Sequence, residues 1–493
     1  MKKRSAYLAI DFGTSNVHAS VIDAETTRII VNTNKKYGWY YPAQNQVELH
    51  IDETWKASEW AVGEVIRQLP EDVELLAITF SYFGDSITPV DEKGEALYGM
   101  IPGFCGRSFK EVQTIGREIG ADTYAKITGN TLSTLATPSK IMWLRDNEPE
   151  VFKKAAGFYS NQQYVMRKLG LGDVQDRTMA ARKLMIDVKA NCWSAPILEL
   201  AGVTEQQLGT QIVESATVVG TIDHYGSVRL PRTLPVTIGC HDVSASLLSA
   251  GVRLENPDTI GVLMGTYEQM GYFSDTFVDG CNDFGDSLIF SCCYSSPFNN
   301  KYTVMDAFPT AGALLEWFCK NILRDPSADI GKLIADAKLD GTGSLMMLPY
   351  VENFHGAVVG MSLSTTTDEI FAAILESLAY QFVACVDYIR STREQPFTRL
   401  HFGGGGSRTD KLLQLRADLI QAPLGRMQNI ELPSLGACML AGLGNNWYAS
   451  VEDAAAHMGN PVSYFEPIPE NETKYAERYA KYKAISADYL RHY

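Results

Sequence analysis

No Cys-x-x-Cys pair occurs among the nine cysteines of this 493-residue chain, and an odd, scattered set builds no disulfide framework. Reduced, mostly buried thiols in a cytoplasmic protein are the expectation. No run approaches the roughly 18 uninterrupted apolar residues of a membrane helix. The apolar stretch after Met1-Lys2-Lys3-Arg4 ends at Asp11, too short for a secretory signal. Basic charge is also scarce: the formal net charge is -15, with no basic patch, which argues against nucleic acid as a partner. Neither a Gly-Lys-Ser/Thr P-loop nor a Gly-x-Gly-x-x-Gly fingerprint in its usual strand–helix setting is present. What remains is ordinary globular usage, 45% hydrophobic and 20% charged, in a chain long enough for two large domains.

Residues 7–23, YLAIDFGTSNVHASVID, read as a hairpin whose turn carries Gly13. Residues 259–275, TIGVLMGTYEQMGYFSD, repeat that layout around Gly265-Thr266, about half a chain later, which suggests a duplicated architecture. Further strands are expected over 74–80 and 398–402, and a hairpin turn at Lys93-Gly94. Helical spacing covers 138–146, 149–168, 367–391, 410–420 and 472–490, the last with a one-sided stripe of Tyr475, Tyr479 and Tyr482. The polar segment RLENPD, 253–258, divides the chain into expected domains 1–252 and 253–493.

Three places carry chemistry. Asp11-Phe12-Gly13-Thr14-Ser15-Asn16 joins a strand-end carboxylate to a glycine turn and hydroxyl donors, as phosphate and Mg²⁺ handling requires. Asp242 follows a short apolar strand and opens a helix of small residues, where a carboxylate can take the proton of an attacking hydroxyl; His241 is a weaker candidate, and a plain helix cap is the alternative. Gly403 to Gly406, followed by Ser407 and Arg408, lies between a strand and a helix, where glycines let backbone approach a nucleotide.

Together AIDFGTSN (9–16), IGCHD (238–242), MGTYE (264–268), FGGGGSR (402–408) and GMSLSTTTDEIFAAILES (360–377) resemble the ordered motifs of the FGGY family of carbohydrate kinases. That resemblance implies an α/β fold of two ribonuclease H-like, actin-like ATPase domains around a deep cleft, with the sugar held mainly by the first and ATP by the second. By it, Asp11 would serve Mg²⁺, and Gly13, Thr14 and Ser15 the β and γ phosphates. Asp242 would be the general base at the sugar, Gly265 and Thr266 would meet the phosphates, and Gly404, Gly405 and Ser407 would border the adenosine. Asp85 occupies the place of the family's sugar-binding side chains. TMAARKLMIDV (178–188) and GTYE resemble the L-fuculose, L-rhamnulose and xylulose kinase branch. Gly84-Asp85 replaces the Arg-Glu pair of glycerol kinases, and Gly103 stands where many members have a tryptophan wall. The expected acceptor is a small ketose, deoxyketose or polyol; a homodimer is expected by analogy alone. The rival readings are a catalytically silent sugar sensor and another actin-like ATPase, whose chaperone members would need a further peptide-binding domain.

Overall fold

The computed structural model describes residues 3–255, 257–265, 267–279, 290–308, 311–339, 345–349, 356–393 and 395–492. Thr266 lies outside them, so the expectation for that residue has no structural counterpart here.

The first sheet takes β1 (Arg4–Phe12), β2 (Asn16–Asp23), β3 (Ile29–Lys36), β4 (Val73–Tyr82), β5 (Val218–Tyr225), β6 (Val228–Thr237) and β7 (Cys240–His241). Its order is β5-β6-β4-β1-β2-β3, with β7 also on β4. The second takes β8 (Thr259–Met264), β9 (Glu268–Ser274), β10 (Phe290–Ser295), β11 (Tyr302–Phe308), β12 (Arg399–Gly403), β13 (Leu424–Met427) and β14 (Val462–Phe465), ordered β10-β11-β9-β8-β12-β13-β14. In each sheet an antiparallel hairpin (β1–β2, β8–β9) lies beside parallel strands (β4, then β12 and β13). The duplication expected from the two Gly-Thr turns is therefore present at the level of topology.

β1 is apolar on both faces because both are covered, as strands between two layers must be. Ala6, Leu8, Ile10 and Phe12 share a core with Val62 and Val65 of α1 (Ile51–Gln68), whereas Tyr7 and Ala9 belong to the core of the second half. Two further helices meet at the domain interface: α2 (Asp242–Ser249) and α5 (Leu432–Gly444), where Ser249 Oγ donates to the Leu432 carbonyl at 2.8 Å. Between them in sequence run α3 (Thr367–Thr392) and α4 (Asp410–Ile420); α6 (Glu472–Leu490) closes the chain. α3 is long and apolar enough to cross a membrane by composition, but 78% of its most apolar stretch is buried within the fold. Tyr479 and Tyr482 of α6 pack on Tyr380 of α3, so the tyrosine stripe is a docking face.

One helix differs from expectation. Residues 149–168 form a helix over Pro149–Lys154, a strand Gly157–Tyr159 paired with Thr88–Val90, and a second helix Asn161–Lys168. The break is made by Ser160, which caps the second helix in a reciprocal box with Gln163. The eight described cysteines are free thiols, and seven are buried.

Candidate active site

The parallel register places the first chemical groups. Asp11 pairs with Ser81 across β1–β4, and Ser81 with Cys240 across β4–β7, so three strand ends finish side by side. Crevices outside the carboxyl ends of parallel strands are where α/β folds bind ligands. Ser81 Oγ donates to Asp11 Oδ1 at 2.6 Å. One residue beyond β7, Asp242 opens α2, its Oδ1 accepting the Val243 N–H at 2.7 Å. Burial raises Asp242 to about 8, with Asp11 and then Asp85 as smaller causes, and the Val243 N–H and Arg182 opposing. Burial likewise raises Asp11, with Glu431 adding to it and His18 and Ser81 opposing. The two carboxylates therefore share one poorly hydrated place.

Gly13 N bonds Asn16 O at 3.0 Å, closing the first turn and leaving Thr14 and Ser15 exposed. Tyr37, just past β3, donates its hydroxyl to the Gly13 carbonyl. Burial, then Asp11 and Asp242, push that phenol well above its ordinary value, so Tyr37 stays a neutral donor beside the two carboxylates.

The second half contributes two loops in contact. Gly404 has φ of +83, and a Cβ there would stand 2.6 Å from the Met264 carbonyl, so only glycine lets this loop lie against the end of β8. Gly405 is exposed, with open space where a side chain would be. Ser407 is turned inward: it is fully buried and its hydroxyl donates to the Gly404 carbonyl at 2.7 Å, shaping the loop. Gly404 N bonds the Ile430 carbonyl at 3.2 Å, and the next residue, Glu431, is the one whose charge reaches Asp11. Through Ile430 and Glu431 the glycine loop of the second half is thus tied to the neighbourhood of Asp11.

Asp85 sits in the left-handed region (φ 56) and pairs through Oδ2 with Arg182 Nη2 at 2.5 Å. Its other oxygen, Oδ1, is buried without a partner, which suits a hydroxyl donor. Gly103 abuts it: an added Cβ would come 2.8 Å from Asp85 Cβ and 2.9 Å from Leu135 Cδ2. Arg182 also donates to Asn130 Oδ1 at 3.0 Å. Tyr37, Ser81, Asn130, Arg182 and Glu431 were not singled out from sequence, since each belongs to a different stretch of chain and no local pattern marks it.

Among the described residues no three His, Cys, Asp or Glu side chains cluster to hold a metal. Magnesium needs less, one or two carboxylates beside phosphates and water. Asp11 fits that demand, since it is half-buried and its carboxylate bears on acidic neighbours in Asp242 and Glu431.

Residues 6–249 match the FGGY family of carbohydrate kinases, N-terminal domain, and 286–444 match the same family's C-terminal domain. The chain is 25% identical to a glycerol kinase of Desulforamulus reducens over 480 residues, 92% of either chain. With a xylulose kinase of Lactococcus lactis it shares 24% over 497 aligned positions, 97% of this chain and 96% of that one. The structure superposes on the gluconate kinase from Lactobacillus acidophilus with a TM-score of 0.84 at 18% identity, covering 100% of both chains. With matches on both halves and over nearly the full length, the chain belongs to the FGGY family of carbohydrate kinases.

Proposed function

We propose that this kinase transfers the γ-phosphoryl group of ATP to a hydroxyl of a neutral ketose, deoxyketose or polyol, with Asp242 as general base. The bond from the γ phosphorus to ADP breaks, a bond to the sugar oxygen forms, and the hydroxyl proton passes to Asp242. The observation that carries this reading is the placing of Asp11 and Asp242 at adjacent strand ends, where burial and mutual repulsion hold Asp242 at about 8. A base works best with its pKa near the working pH.

Asp11 is the residue that would hold Mg²⁺, which neutralises phosphate charge when bound. In this reading Gly13, Thr14 and Ser15 face the β and γ phosphates from residues 1–252, and Gly265 and Thr266 from residues 253–493. Gly404 and Gly405 border the adenosine, with Ser407 holding their loop. ATP as donor sets the reaction in the cytoplasm.

Charge separates the acceptors named by the relatives. Among the described residues Asp11, Asp85 and Asp242 outnumber the permanent cations near them: Arg182 is already paired with Asp85, and the buried Lys140 ammonium also bears on Asp85 while donating to the Thr134 and Leu135 carbonyls. An aldonate would bring a fourth carboxylate into this site, whereas a neutral sugar can donate to the orphan Oδ1 of Asp85. The test is ADP release with Mg-ATP across ketopentoses, 6-deoxyketohexoses, polyols and aldonates. A neutral responder supports the reading; gluconate as best substrate would refute the charge argument, and ATP binding without any turnover would favour a sensor.

A further inference from the structure

His241 lies between the base and the second domain. Its Nδ1 is 2.9 Å from the Tyr294 hydroxyl, with the two rings edge to face at 79°. Tyr294 comes from β10, the edge strand of the second sheet. On the other side of the imidazole, Nε2 stands 3.3 Å from Asp242 Oδ1. Burial, then the nearby Arg182, hold His241 well below its ordinary value, so the ring is neutral and carries one proton. Burial keeps the Tyr294 phenol protonated.

A neutral ring has two tautomers, and the contacts choose between them. With the proton on Nδ1, the bare Nε2 lone pair would face Oδ1 of the ionised carboxylate, the form in which Asp242 acts as base. With the proton on Nε2, Tyr294 donates to Nδ1 and Nε2–H points its positive end at Asp242. The second arrangement satisfies both sides. Oδ1 of Asp242, which accepts the Val243 N–H at 2.7 Å, then faces the positive end of Nε2–H at 3.3 Å, and Oδ2 keeps its lone pairs for the sugar hydroxyl.

The surroundings are shaped for this ring. A Cβ on Gly84 would meet His241 Nε2 at 3.0 Å and Arg182 Cβ and Cγ at 3.1 Å, so any side chain there crowds the imidazole and the Arg182 stem. The Arg182 guanidinium lies 4.9 Å from the centre of the Tyr294 ring, clamping the phenol while it pairs with Asp85. His241 N donates to Thr178 Oγ1 at 2.8 Å, fixing the backbone from which the ring projects.

We propose that His241 and Tyr294 are positioning residues: Tyr294, reaching across from the second domain, fixes the Nε2–H tautomer of His241, which pins Oδ1 of Asp242 and frees Oδ2 to take the sugar proton. The inference rests on Asp242 being the base. It makes the alignment of the base depend on docking of β10 against the first domain.

Two measurements test it on the full-length protein. With ¹⁵N-labelled histidine, NMR above about pH 8, where Asp242 is ionised, should show His241, assigned by its loss in His241→Gln, protonated at Nε2 and not at Nδ1; Tyr294→Phe should raise the Nδ1–H population. A His241 protonated mainly at Nδ1, or unaffected by Tyr294→Phe, would overturn the proposal without reference to any substrate. The second is turnover of the best sugar of the acceptor panel. Tyr294→Phe and His241→Ala should each lower kcat by about 10- to 100-fold, less than the roughly 10²- to 10⁴-fold owed to the base itself. KM for ATP should stay unchanged, and His241→Gln, whose amide can donate where Nε2–H does, should recover most of the loss. Equal losses in the alanine and glutamine variants would mean packing alone. Wild-type kcat in both His241→Ala and Tyr294→Phe, beside an inactive Asp242→Asn, would refute the positioning and leave the base standing; full turnover in Asp242→Asn would remove both.

Discussion

Asp242→Asn should lose turnover and gain stability, and the gain should depend on pH. Burial, then Asp11, raises Asp242 from 3.8 to about 8. A carboxyl that keeps its proton to higher pH in the folded state than in the unfolded chain contributes stability that is full below about pH 4 and is lost as pH rises toward 8. Asparagine has no such proton to lose. Converted fully at about 1.4 kcal/mol per pH unit, the difference between variant and parent would widen by about 4 kcal/mol from pH 5 to pH 8. The Asp242 side chain keeps 29% of its surface open, so solvent screening roughly halves this, to about 2 kcal/mol. For a domain of some 250 residues that is about 4 to 8 °C. Thermal unfolding of both proteins at pH 5 and pH 8, without nucleotide or Mg²⁺, measures it. The same preparation should show turnover reduced by about 10²- to 10⁴-fold. A melting difference that stays constant with pH would refute the electrostatic account; undiminished turnover would refute the base.

Asp85→Asn should raise KM for the sugar by about 10-fold, roughly the 1.4 kcal/mol of one charge-assisted hydrogen bond, and leave KM for ATP unchanged in steady-state kinetics. Gly404→Ala should weaken ATP binding in titration calorimetry without changing sugar affinity, because its Cβ would stand 2.6 Å from the Met264 carbonyl at a φ of +83. Arg416→Met should cost about 3 to 5 kcal/mol in denaturant unfolding, since it strands Glu268, 2% exposed, without the guanidinium that now holds both its oxygens. Asp306→Asn, in the core of the second sheet, should be stabilising above pH 7 and neutral near pH 4, because burial raises that carboxyl to about 7.

How far the sequence could be read depended on whether the deciding interactions were local. The hairpins at 7–23 and 259–275 and the helices at 410–420 and 472–490 are where their patterns put them, because alternation or helical spacing there coincides with one buried face. The stretch 149–168 misled because its spacing continues through Gly157–Tyr159, which is held as a strand by Thr88–Val90 some seventy residues earlier. A local signal was nonetheless there: Ser160-x-x-Gln163 is a capping box, and a helix that starts at 161 cannot also be running through 157. In the cleft, Asp11 and Asp242 stand out as carboxylates at strand ends. Tyr37, Arg182 and Tyr294 do not, since their neighbours are set only by how the sheets assemble.

The position of the cleft itself follows from the two-residue period of β1. Ile10 and Phe12 point to the α1 side, so Tyr7, Ala9 and Asp11 must point to the other, where α5 of the second half packs. On the neighbouring strand the matching residues are Ala77, Thr79 and Ser81, small enough for that helix to approach until Thr79 Oγ1 donates to the Ala437 carbonyl at 3.2 Å. The same approach brings Glu431, at the start of α5, toward Asp11. A one-residue slip of β1 would turn Asp11 into the apolar core and leave α5 facing Ile10 and Phe12. The packing of one domain on the other and the placing of the carboxylate that would hold Mg²⁺ are therefore a single consequence of strand register, so a substitution that bulks up Ala9, Ala77 or Thr79 should impair catalysis and domain packing together.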